Sequence, residues 1–241
     1  MLELPDSARV AAWLNAWLGG AASPDDVISG LLAHQAHVVF RGFGDQPLPP
    51  ALLLGRLRAD GVTRASVALP VSAEGVGLAG PPAFNLEAHE AGQAVLLHGT
   101  GTGLVPRTVG GSTSWHALPA SAPSYLPDVA SADRDLREAL RVSADALADL
   151  DVAAWSPDVA DALLNLRRPA EFDAPVTFAS PEATRCAVQG ARCLAIVTMS
   201  EANDGGAVSA TQASARREAL VPLARAARTA VVAACSSLDG R

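Results

Sequence analysis

Residues 37–71 read HVVFRGFGDQPLPPALLLGRLRADGVTRASVALPV. The two ends, His37–Phe43 and Arg64–Val71, are short runs rich in valine, the composition of strands covered on both faces. Between them, Pro49–Asp60 reads as a helix with Leu52, Leu53 and Leu57, closed by Gly61. This is a β-α-β unit, and its connection is long enough for a parallel, right-handed crossover. It predicts an α/β (or α+β) fold.

Outward from that unit, Gln93–His98 and Leu104–Val109 are strand candidates joined by Gly99-Thr-Gly-Thr-Gly103, a hairpin length. The sheet is therefore expected to be mixed and only partly parallel. Val176–Ala179 and Arg192–Met199 complete the expected strands. Several Ala/Leu-rich helices are expected to cover it. Ser23-Pro24-Asp25-Asp26, Ser156-Pro157-Asp158 and Ser180-Pro181-Glu182 each combine a capping serine, a proline at the first helical position and acids at the positive dipole end. Leu136, Leu140 and Leu147 share a face over about 132–149, and Pro222 interrupts a last helical stretch over about 209–236. Residues 1–241 read as one globular domain, with Pro119–Pro127 (PASAPSYLP) the place of any internal division.

Composition excludes several functions. The chain of 241 residues has no lysine among its 18 positive charges, so Schiff-base, Walker-A and S-x-x-K chemistry are absent. A net charge of −7, spread evenly along the chain, and an aromatic content of 4% argue against nucleic-acid binding. Three cysteines without C-x-x-C spacing read as reduced, buried thiols. The amino-terminal residues lack a basic region, and no stretch reaches the roughly 20 apolar residues of a membrane span. A cytoplasmic protein is expected, with no nucleic acid and no membrane among its partners.

Strong catalytic patterns fail when tested. Gly99–Gly103 lacks the third glycine of the dinucleotide fingerprint and opens no helix; it reads as a hairpin loop whose amides, beside His98, are able to hold an anion. Gly110-Gly-Ser112-Thr-Ser114 misses the nucleophile elbow at its fifth position. His89-Glu90 is followed by Gln93 where a zincin needs histidine, and His34 with His37 reads as a helix-end pair rather than a metal site. No metal is predicted, and no motif names a cofactor. Trp13 and Trp17, four residues apart, read as core anchors, with a dimer face as the competing use.

What remains is a constellation at expected strand ends: Arg41 with Asp45, Glu74 after the second strand, His98 with Gly99, Thr100, Gly101 and Thr102, and the stretch Met199–Asp204. Arg41 suits a carboxylate or phosphate, Glu74 or Asp45 a base, and His98 proton exchange near neutrality. The leading expectation is non-catalytic binding of a small anionic or polar ligand, self-association as a homodimer, or both. The competing ones are a metal-independent hydrolase or transferase using His98, Arg41 and a carboxylate, and a protein-interaction module.

Overall fold

The computed structural model describes residues 4–33, 35–71, 75–149, 180–202 and 210–238. These fall into two compact units, residues 4–126 with 180–184 and 232–238, and residues 127–149 with 185–202 and 210–231. In chain order the described elements are α1 (Asp6–Leu18), α2 (Pro24–Leu32), β1 (His37–Arg41), α3 (Pro50–Ala59), β2 (Arg64–Ala68), α4 (Pro82–Ala91), β3 (Ala94–His98), β4 (Thr102–Val109), β5 (Ser112–Pro119), α5 (Val129–Asp149), α6 (Pro181–Ala202) and α7 (Ala210–Cys235). The fold is α/β, with a mixed five-stranded sheet. No described helix is long and apolar enough to cross a membrane.

The first unit is built on that sheet, ordered β1-β5-β4-β3-β2. Only β1 and β5 pair in parallel; the other three pairs are antiparallel. This corrects the crossover expected from His37–Val71. β1 and β2 stand at opposite edges and run in opposite directions, because β5 takes the place beside β1. β5 alternates buried Thr113 and Trp115 with half-buried Ser112, Ser114 and His116, a half-covered strand. Its turn, Gly110-Gly111, is the two-residue connection of a hairpin, with Gly110 at φ 59°. β4 carries Pro106 without penalty, since β3 pairs with β4 only through Thr102–Leu104 and leaves that edge open beyond.

Each face of the sheet has its own cover. On one, α1 packs against β2 and β3, burying Trp13 and Trp17 at 4% and 5% exposure, so both tryptophans are core. Phe40 and Trp115 stack on the same face with centroids 6.4 Å apart. On the other, α4 lays Phe84 and Ala88 over Ala68, Ala94, Leu96 and Val105. Ser23 caps α2 through a reciprocal capping box with Asp26, as the sequence predicts.

The second unit is helical. Arg192–Met199, expected as a strand, lies inside α6. Its apolar run continues a helical period, with Ala183, Cys186, Ala187, Ala191, Cys193, Ile196 and Val197 buried, and an eight-residue window is too short to separate that period from a strand. Ser180 accepts from the Ala183 amide at 3.1 Å, starting the helix where the sequence places its cap. Gly190 lets α6 approach α7, since a Cβ there would stand 3.0 Å from the Ala227 carbonyl oxygen. Pro222 sits within α7. The strand expected at Val176–Ala179 and the helix start at Ser156 lie outside the described residues.

Candidate functional site

Alternation along the strands decides which polar side chains meet. Arg41 pairs with His116, and Ser114 with Arg107, so all four project from the face that α4 partly covers. Arg41 Nε donates to Ser114 Oγ at 3.1 Å, and Ser114 Oγ lies 3.2 Å from His116 Nε2. A guanidinium only donates, so Ser114 Oγ accepts from Arg41, and its contact with His116 Nε2 runs in either direction with the imidazole tautomer. Burial lowers the His116 pKa first, then the Arg107 and Arg41 charges, while Glu87 opposes them. Glu87, from α4, receives Arg107 Nη2 at 3.0 Å across an exposed pair. The cluster thus holds two guanidiniums, one carboxylate, a hydroxyl and a neutral imidazole.

His98 shares this face but not this cluster. Leu104 pairs with Val95 and Val105 with His116, which sets His98 three strands and four residues from Arg41. At the usual strand spacing and rise that is roughly 20 Å. Phe84 stands between them, its ring against Gly103. His98 Nε2 meets Ser66 Oγ at 2.8 Å, and its pKa is lowered by burial first and by Arg64 second. Of the loop beside it, Thr100 donates its hydroxyl to the Leu97 carbonyl at 3.1 Å, Gly99 and Gly101 take φ 99° and 66°, and Thr102 opens β4. Asp45 is exposed in the loop after β1, and Glu74 lies outside the described residues. Met199–Ala202 close α6 rather than a strand, and Asn203 and Asp204 lie outside the described residues.

The expected constellation is therefore not one pocket among the described residues. Sequence reasoning picked Arg41 and missed its partners Ser114, His116 and Arg107. The available signal was the Gly110-Gly111 turn, which makes a strand of residues 112–119 and sets Ser114 and His116 on one face. Among the described residues no three His, Cys, Asp or Glu side chains gather as metal ligands. The three cysteines are buried, and burial pushes the Cys193 thiol up to about 12, with the Arg192 charge opposing it.

The Rv1486c-like N-terminal domain matches residues 7–129 and the Rv1486c-like C-terminal domain residues 130–232. The chain belongs to the Rv1486c-like family. It is 30% identical over 199 residues to "Uncharacterized protein Rv1486c" of Mycobacterium tuberculosis strain ATCC 25618 / H37Rv, covering 64% of this chain and 67% of that one. A counterpart from strain CDC 1551 / Oshkosh, "Uncharacterized protein MT1533", is 30% identical over 200 residues with the same coverage. No solved structure matches. The names of these family members assign no ligand or reaction.

Proposed function

We propose that this protein binds a small oxyanion or carboxylate at the sheet face of Arg41, Ser114, His116 and Arg107. The observation that carries the reading is the Arg41–Ser114–His116 chain, in which an exposed guanidinium meets a hydroxyl and an imidazole whose pKa burial and the two arginines lower. Arg41 is exposed and has no carboxylate within ion-pairing distance among the described residues, so its charge is not already neutralised. Guanidinium forks match phosphate and carboxylate geometry, and a hydroxyl beside them supplies a neutral donor. Titration with sulfate and inorganic phosphate, followed by calorimetry, tests it. Arg41→Ala should weaken binding at least tenfold, the usual weight of a charged hydrogen bond. Equal affinity in wild type and variant would remove the site.

The Ser114–His116 contact favours a second reading, a metal-independent hydrolase or transferase with Ser114 as nucleophile. Labelling by a fluorophosphonate that disappears in Ser114→Ala would support it. Absence of labelling would leave the binding reading alone.

A further inference from the structure

The first unit carries a cleft of about 430 Å³ where α1 ends, lined by Trp17, Leu18, Gly20, Arg58, Thr63 and Leu238. It is separate from the Arg41 cluster in its residues and in its chemistry. Arg58 leaves the last turn of α3 and sets its guanidinium carbon 4.7 Å from the centroid of the Trp17 indole. The nearest acid in sequence, Asp60, is taken by Arg56, whose Nε reaches it at 2.7 Å. Among the described residues no carboxylate lies within ion-pairing distance of Arg58. Stacking on an indole holds a guanidinium in place without consuming its N–H donors, which project from the rim of the group. The cleft wall thus presents an unspent, pre-positioned charged fork beside the side chains of Leu18 and Leu238.

We infer that this cleft is a binding site for a small monocarboxylate with an apolar body. The volume falls in the range of small-molecule sites, which combine a mostly apolar wall with few placed polar groups. The carboxylate sits on the Arg58 fork, and the apolar body lies along Leu18 and Leu238. A single charge fits better than a phosphate dianion, because the carbonyl end of α1, with its partial negative charge, borders the cleft at Gly20. Thr63 adds little as a donor, since its hydroxyl is directed at the His98 carbonyl at 3.4 Å.

The test uses benzoate and hexanoate as ligands, and benzyl alcohol as a neutral mimic, on the full chain by ligand-observed NMR and calorimetry. Wild type should bind both carboxylates saturably and benzyl alcohol at least tenfold more weakly. Arg58→Met keeps the stem against Trp17 and should cost at least tenfold, with Arg58→Lys falling between. Circular dichroism melts confirm that each variant is folded. No saturable binding, equal binding of the neutral mimic, or unchanged affinity in Arg58→Met would each overturn the assignment.

Discussion

Asn15 holds the backbone of Ala65 from both sides: Oδ1 accepts the Ala65 amide at 2.8 Å and Nδ2 donates to the Ala65 carbonyl at 2.8 Å. Ala65 lies on β2, an edge of the sheet, so one side chain of α1 does there what a sixth strand would do. Asn15 Nδ2 also donates to the Cys235 carbonyl at 3.0 Å, and Ser236 Oγ accepts from the Val67 amide at 2.9 Å. The edge is closed by side chains from both ends of the chain. Asn15→Leu removes three hydrogen bonds and leaves buried backbone groups of Ala65 unpaired. The expected loss is about 3 kcal/mol or more, read from urea unfolding midpoints. A loss below about 1 kcal/mol would mean that water or a rearranged strand replaces Asn15.

Gly103 is the second fixed point. A Cβ there would stand 2.4 Å and 2.5 Å from two atoms of the Phe84 ring and 2.8 Å from the Ala120 Cβ. Phe84 anchors α4 in the apolar cluster of Ala68, Ala94, Leu96 and Val105, and it has nowhere to retreat. Gly103→Ala should therefore destabilise by about 2 kcal/mol, the range for overpacking a core. Phe84→Leu alone should also destabilise. The double variant should be more stable than the sum of the two losses predicts, because the smaller side chain vacates the contested space. Strict additivity in urea unfolding would show that Gly103 and Phe84 do not constrain each other.

The sequence carried the elements better than their order. The Ser23 and Ser180 caps, the helix after Pro49 and the hairpin around Gly99–Gly103 were all legible because each depends on local chemistry. Partnering was not. His37–Val71 has the pattern of a parallel unit, and only the strand that competes for β1 excludes it. That strand, Ser112–Pro119, carries Ser112, Ser114 and His116 at alternate positions, so it lacks the continuous apolar run of a buried strand. The same omission hid the site. Arg41 was visible as an isolated cation, but Ser114 and His116 meet it only across the β1–β5 pairing, a contact between residues 73 apart.

The two half-buried histidines of the sheet make stability depend on pH in a fixed direction. Burial lowers the pKa of His98, as it does that of His116, below the ordinary value near 6.5 that each regains on unfolding. Below about pH 6.5 the unfolded chain binds protons that the native state does not, so stability falls as pH drops. Above that value these two groups contribute no slope. Urea unfolding at pH 7.5, 6.5 and 5.5 should show the decline in wild type. His98→Gln, which keeps a polar group near Ser66, should flatten it in part, and adding His116→Gln should flatten it further. An unchanged profile in the double variant would assign the slope to other groups.

Anion binding at Arg41 should be linked to a proton at His116. With the site free, the guanidiniums of Arg107 and Arg41 help hold the imidazole neutral. An anion bound between them offsets those charges and raises the His116 pKa toward and beyond its ordinary value, so binding takes up a proton. Affinity must then rise as pH falls, provided that the probe itself does not titrate. Sulfate meets that condition between pH 5.5 and 8, whereas phosphate does not. Sulfate affinity should increase by about threefold or more from pH 7.5 to 5.5 in wild type, corresponding to a shift of half a pKa unit or more. His116→Gln should bind sulfate with no pH dependence over the same range, and calorimetry in buffers of different ionisation enthalpy should report proton uptake only in wild type. Sulfate binding that is equally pH-dependent in His116→Gln would place the anion away from the imidazole and break the link between Arg41 and His116 on which the site is built.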